Sequence, residues 1–280
     1  MSPRERPFAQ VDVFSDTRYL GNPVAVVLDG DGVDERDMAR LAAWTNLSET
    51  TFVVPPSSGE ADYALRVFTP GGEIPFAGHP TLGTAHAWLE AGGVPKSPGT
   101  VVQECGAGLV AVRRSASGLG FRAPRPRRTG PLDADHVDRI ARALRVGRER
   151  IVAHQWVDNG PGWAAVRLAS AAEVLALEPD DHHLRRLMLG VVGPHPPGSP
   201  LSFEVRAFGL PAGVREDPVT GSLHAGLAQW LIGDGTAPPA YRAGQGARLG
   251  RHGVVAVETQ GEDIWISGES VTCVRGTVHL

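Results

Sequence analysis

The 280-residue chain contains two cysteines, one lysine and no long hydrophobic run, and each scarcity removes a class of function. Cys105 and Cys273 stand far apart, with no CxxC and no His-Cys cluster at ligand spacing, so neither a disulfide framework nor a metal site is expected. Lys96 lies in Gly93-Val94-Pro95-Lys96-Ser97-Pro98, which reads as an exposed loop. A pyridoxal phosphate enzyme would need its Schiff base there, so that cofactor is not expected. No GxGxxG follows a strand-like run and no P-loop occurs, which argues against dinucleotides and nucleoside triphosphates. No apolar run reaches the length of a membrane span, and Met1-Ser2-Pro3-Arg4-Glu5-Arg6 lacks the apolar core of a signal peptide. The sequence therefore predicts a cytoplasmic protein without a membrane partner. Basic residues form no stripe. Pro124-Arg125-Pro126-Arg127-Arg128 is broken by proline, has no interleaved aromatics and reads as a solvated linker, so no nucleic-acid partner is expected.

Gly (35) and Pro (23) are plentiful, as suits many short strands joined by tight turns. Val11-Asp12-Val13-Phe14 and Val24-Ala25-Val26-Val27-Leu28 read as strands separated by a Gly21-Asn22-Pro23 turn. Asp34 reads as the N-cap of a helix that turns Met38, Leu41 and Ala42 inward and ends near Asn46.

Two distant stretches repeat each other. His79-Pro80-Thr81-Leu82-Gly83-Thr84-Ala85-His86-Ala87 aligns without a gap on Asp217-Pro218-Val219-Thr220-Gly221-Ser222-Leu223-His224-Ala225. Each follows a strand-like run, Leu65-Arg66-Val67-Phe68 or Val205-Arg206-Ala207-Phe208, and opens a helix-like run of Ala, Leu and Trp. A repeat of this length suggests a duplicated unit. The expectation is an α+β fold of two similar halves, 1–126 and 127–280, each a curved sheet or barrel wrapped around a central helix, related by a pseudo-two-fold axis. The active site would lie in the cleft between the halves. His79 and Asp217 would head equivalent helices, and His86 and His224 would occupy equal positions in a paired structural role.

Helix starts flanked by Gly78, Gly83 and Gly221 suit an anion held on backbone N–H groups, although Asp, Ser and Thr there are also ordinary caps. Glu49, in Asn46-Leu47-Ser48-Glu49-Thr50-Thr51-Phe52, directly precedes an apolar strand. That placement suits a half-buried general acid and base, although on the ordinary surface statistics of Glu the residues alone favour a solvated turn residue held by Ser48 or Thr50. Glu73 and Glu216 are further carboxylates nearby, able to bridge to His79 or to cap.

The Asn46–Phe52 block, Phe68-Thr69-Pro70 with Glu73-Ile74-Pro75-Phe76-Ala77-Gly78-His79-Pro80-Thr81, Glu216 to Ser222, and Gln245-Gly246 with Gly250-Arg251 together resemble the signature blocks of the PhzF-like phenazine-biosynthesis isomerase family. The resemblance runs from Gly21-Asn22-Pro23 to the terminal strands. It implies a diaminopimelate epimerase-like fold and a cofactor-independent isomerase, homodimeric as is common in that family. It further implies that Glu49 moves the proton on a small unsaturated cyclic carboxylate, trans-2,3-dihydro-3-hydroxyanthranilate or a related intermediate such as an alkylproline precursor of antibiotic biosynthesis. His79 and Asp217 match assisting catalytic positions. Ser48, Gly78, Gly221, Ser222 and His224 are the substrate-binding candidates. His224 and Phe208-Gly209-Leu210-Pro211 depart from the family pattern, which bears on the substrate more than on the mechanism. Neither cysteine falls in a repeated block, so a two-thiol racemase is disfavoured. The alternatives are an epimerase working without thiols and a non-catalytic binding protein for small carboxylates.

Overall fold

A computed structural model describes residues 4–280, which group into two compact units: the chain up to Arg122 together with Ser267–Leu280, and Ala123–Ile266. The first unit contains β1 (Glu5–Val13), β2 (Asn22–Val27), α1 (Glu35–Thr45), β3 (Thr50–Val54), β4 (Tyr63–Thr69), β5 (Gly72–Ile74), α2 (Gly78–Glu90), β6 (Thr100–Cys105), β7 (Gly108–Ser115) and β8 (Gly118–Arg122). The second contains α3 (Ala134–Leu144), β9 (Ala153–Trp156), β10 (Ala164–Arg167), α4 (Ala171–Leu175), α5 (Asp181–Leu184), β11 (Leu189–Pro194), β12 (Phe203–Gly209), β13 (Val214–Asp217), α6 (Gly221–Gly233), β14 (Ala240–Gln245) and β15 (Gly253–Gln260). The chain passes through β16 (Asp263–Gly268) and returns to the first unit in β17 (Ser270–His279), which pairs antiparallel with β1. Asn22 and Pro23, expected in a turn, instead open β2, where they pair with Val13 and Asp12.

The duplication is visible in the strand pairing. In the first unit β1-β2-β3-β4-β6-β7 pair in the order antiparallel, parallel, antiparallel, parallel, antiparallel. In the second, β9-β10-β11-β12-β14-β15 repeat that order. A short strand, β5 or β13, adds to the fourth strand of each series just before the central helix.

The two central helices differ in character from the others. Both α2 and α6 carry apolar residues around most of their circumference and bury nine of their 13 residues, as a helix enclosed by sheet must. α2 packs on β1, β2, β3, β7, β8 and β17. A Cβ on Gly83 would lie 2.4 Å from Val24 Cγ1, and one on Gly226 would lie 2.2 Å from the Val157 carbonyl oxygen, so glycine is what lets each helix approach its strands. α1 and α3 lie outside the sheets and present one apolar face each. Met38 and Ala42 of α1 cover Phe52 and Phe68, and Val137, Ile140 and Leu144 of α3 cover Val166, Leu189 and Phe208.

Candidate active site

Glu49 occupies the short connection between α1 and β3. α1 closes at Asn46 in the left-handed conformation, φ 54°, and the strand begins at the buried Thr50 and Thr51. Thr45 donates its hydroxyl to the Ala42 carbonyl, so in the 3.1 Å contact between Thr45 and Thr50 it is Thr50 that donates. Thr51 donates to the Ala25 carbonyl at 3.2 Å and receives the hydroxyl of Thr84, on α2, at 2.8 Å. These bonds anchor the segment on both sides of the carboxylate. The Glu49 side chain is 15 % exposed, and its Oε2 lies 3.4 Å from Nε2 of His79, the second residue of α2.

His79 is buried, and burial pushes its pKa down to about 3 against the opposing effect of a hydrogen bond to the Pro23 carbonyl. The ring is therefore neutral near neutral pH. Nε2 faces Glu49, so Nδ1–H is the group that reaches Pro23 and Nε2 presents its lone pair to the carboxyl group.

The second unit presents a different set at the corresponding helix. Asp217 ends β13, and its Oδ2 accepts the Thr220 hydroxyl at 2.6 Å. Gln245, at the end of β14, donates to the Asp217 carbonyl at 2.8 Å and to Thr220 Oγ1 at 2.9 Å. Ser222, the second residue of α6, accepts the indole N–H of Trp163 at 3.0 Å, while its carbonyl accepts Asn159 Nδ2–H at 2.8 Å. An indole can only donate, so the Ser222 hydroxyl proton is directed away from Trp163.

The two central helix starts share an electrostatic feature. α1, α3, α4 and α5 each receive a side-chain cap, from Asp34, Asp133, Ser170 and Asp180, and each has an acidic residue in its first turn. α2 and α6 begin at Ala77 and Thr220 with no side-chain cap bond and no acidic residue in the first turn. Neither start therefore has a side chain capping its N–H groups, an arrangement in which a helix start can receive an anion.

Some expectations are corrected. α2 runs from residue 78 to 90 and α6 from 221 to 233, so the structural repeat is offset by 143 (221 − 78), not by the 138 of the ungapped alignment. Gly78 corresponds to Gly221, Gly83 to Gly226 and His79 to Ser222, while Asp217 precedes its helix. The bonds of Asp217 and Thr220 to Gln245 hold the segment between β13 and α6 outside the helix, with Thr220 extended as its N-cap. His86, the ninth residue of α2, and His224, the fourth of α6, are therefore not equivalent. His86 lies beside Glu90, and His224 is 1 % exposed with Nε2 3.0 Å from Gln245 Oε1, inside its unit. Glu73 and Glu216 are each taken up by an arginine of their own unit, Glu73 by Arg66 and Glu216 by Arg206. Ser48 is half-buried beside Glu49, and Gly78 is buried against Phe121, whose ring a Cβ would meet at 2.6 Å. Sequence reading missed Pro23, whose signal is only its place in the Gly21-Asn22-Pro23 block, and Asn159 and Trp163, which flank a Gly-Pro-Gly loop.

Residues 11–276 match the family model described as phenazine biosynthesis-like protein, PhzC-PhzF. The chain belongs to the PhzF family. Its class is isomerase. Among its relatives, antisense-enhancing sequence 1 of Schizosaccharomyces pombe is 34 % identical over 97 % of this chain and 98 % of that protein. The trans-2,3-dihydro-3-hydroxyanthranilate isomerase of Pseudomonas chlororaphis is 31 % identical over 96 % of this chain and 98 % of its own length. A PhzF-family crystal structure from Enterococcus faecalis superposes with a TM-score of 0.83 at 26 % identity, covering 99 % of this chain and all of that one. A hydroxyproline epimerase from Agrobacterium vitis, at 14 % identity and TM-score 0.58 over 99 % of this chain and 93 % of that one, shares the fold alone. The PhzF-family chain differs from a thiol-based epimerase in its cysteines. Cys105 ends β6, Cys273 lies in β17, and burial raises the pKa of both, which disfavours the thiolate.

Proposed function

We propose that this protein moves a proton, and with it a double bond, on a small unsaturated cyclic carboxylate, with Glu49 as the proton carrier. The observation that carries the reading is the Glu49–His79 contact: a largely buried carboxyl group 3.4 Å from an imidazole that is neutral and has its lone pair turned toward it. Glu49, as carboxylate, removes a proton from the ring carbon bearing the hydroxyl. The carboxyl group, whose proton can exchange with solvent, then delivers one proton to another carbon of the conjugated system, so the proton count of substrate plus enzyme is unchanged, and the enol product tautomerises to the ketone. His79 accepts the hydrogen bond of the transient carboxylic acid. Within the first unit the uncapped start of α2, at Gly78, offers N–H groups suited to a carboxylate; within the second, the start of α6 at Gly221 does so beside the Ser222 hydroxyl and the Asp217 carboxylate, groups suited to polar substituents. The relative from P. chlororaphis supports trans-2,3-dihydro-3-hydroxyanthranilate as the first substrate to test.

The test is to incubate the protein and Glu49→Gln with that compound in deuterated water and to follow the ring protons by NMR. Loss of the diene signals with deuterium gain, reduced about 10²- to 10⁴-fold in the variant, is expected for a general acid and base. Binding without turnover by the parent protein would move the search to another unsaturated carboxylate. Racemisation of a simple amino acid instead would replace this reading with an epimerase.

A further inference from the structure

Gln245 is buried, and its amide uses two donors and two acceptor positions. Oε1 accepts the Thr220 backbone N–H at 3.1 Å and lies 3.0 Å from His224 Nε2; the amide nitrogen donates to the Asp217 carbonyl at 2.8 Å and to Thr220 Oγ1 at 2.9 Å. The Thr220 N–H can only donate, which fixes the orientation of the amide. Two consequences follow. His224 must present Nε2–H to Oε1. Thr220 Oγ1, which accepts from the Gln245 amide nitrogen, must send its own proton to Asp217 Oδ2, 2.6 Å away.

We propose that Gln245 and Thr220 are positioning residues that hold Asp217 as an oriented acceptor, at the end of a one-way chain of donors running from His224 through Gln245 and Thr220 to the Asp217 carboxyl group. The proposal rests on the role given to Asp217 above. It assigns His224 to the support of the site instead of to contact with substrate, and it gives the Gln245-Gly246 pair a physical reason. Gly246 has φ 98°, and a Cβ there would lie 2.7 Å from the Pro218 carbonyl, so only glycine lets the chain turn this close to the segment its neighbour holds.

The test combines one measurement that needs no substrate with one that does. In protein labelled with ¹⁵N-histidine at neutral pH, the His224 ring is expected as the Nε2–H tautomer; the Nδ1–H tautomer would overturn the chain whatever the enzyme turns over. Thr220→Val keeps the shape and the backbone N–H but removes the hydroxyl. It is expected to lower kcat for trans-2,3-dihydro-3-hydroxyanthranilate roughly ten- to hundred-fold, the range of one charge-assisted bond, with KM changed less than about threefold. Thr220→Ser is expected to restore most of that loss, which a merely structural role for the methyl group would not predict. Wild-type kcat in Thr220→Val, or no recovery in Thr220→Ser when both variants unfold at the parent temperature, would overturn the positioning role. If the parent protein does not turn the compound over, the functional reading fails for that substrate and the tautomer alone decides the chain.

Discussion

At the scale of single residues, the chemistry assigned to this site depends on which atom holds a proton. His79 is neutral because it is buried, and its tautomer follows from the Pro23 carbonyl. Ser222 is directed by the same kind of constraint, since the Trp163 indole can only donate to it. Trp163→Phe keeps the ring in its buried place and removes the donor, freeing the Ser222 hydroxyl to rotate. One neutral hydrogen bond is worth about 0.5–1.5 kcal/mol, so KM for the small carboxylate should rise roughly three- to ten-fold. Ser222→Ala should weaken binding by at least as much, and the double variant no further than Ser222→Ala. A double variant weaker than Ser222→Ala by the full Trp163→Phe factor would show that the indole acts elsewhere, because side chains working through one bond are not additive.

At the scale of elements, the duplicated units repeat contacts as well as strands, and they do so at different burial. Arg66 on β4 pairs with Glu73 on β5, and Arg206 on β12 pairs with Glu216 on β13, each arginine also lying over the phenylalanine two residues on, at 5.1 and 5.0 Å. The first pair is partly open to solvent, with side chains 28 % and 37 % exposed; the second is enclosed at 4 % and 3 %, and Arg206 also bonds the Val174 and Leu177 carbonyls at the end of α4. Arg206→Met strands Glu216 in the interior and should destabilise by about 3–5 kcal/mol, whereas Arg66→Met should change stability by about 0–1 kcal/mol. Urea unfolding of the two variants checks this, and equal losses would refute the burial argument. The same comparison explains what the sequence made legible. The strand endings Arg66-Val67-Phe68 and Arg206-Ala207-Phe208, the Asp34 cap and the general form of two wrapped helices all follow from local pattern. The register of the repeat did not, because Pro80 sits within the first turn of α2 while Pro218 precedes α6, and similar letters at an offset of 138 aligned residues that differ in position. The polar cluster before an apolar strand marked Glu49 only as a half-buried or a turn carboxylate, and the structure leaves its side chain 15 % exposed. Its partner's orientation was not legible, because it depends on a backbone carbonyl, at Pro23, that any residue type would offer.

Taken over the whole molecule, acid stability is where the two units can be compared, since each buries one neutral histidine. Burial lowers His79 from 6.5 to about 3 and His224 from 6.5 to about 4, the latter despite a bond to Gln245. An unfolded chain binds these protons as pH falls below about 6.5 and the folded chain does not. Their contribution is therefore complete above 6.5 and is lost progressively down to the folded values, at up to about 1.4 kcal/mol per pH unit for each histidine. His86 and His136 are lowered in the same sense by partial burial. Glu204 opposes them, because burial raises its pKa and its contribution is lost as pH rises above 4.5. Glu90 and Glu104 are lowered and act only near and below 4.5, so the interval from 6.5 to 5 belongs mainly to the histidines. Across it, the unfolding free energy should fall by up to about 1.4 kcal/mol per pH unit for each histidine whose unit takes part in the observed transition, twice that if both units unfold together. His224→Gln removes one titrating group and should flatten the slope by about 1.4 kcal/mol per pH unit in the transition that includes the second unit, without altering a transition confined to the first. Urea titrations at pH 6.5, 5.75 and 5.0 read the slope directly; an unchanged slope in His224→Gln would mean that the His224 ring binds protons alike in the folded and unfolded protein, and a steeper fall that it is protonated when folded.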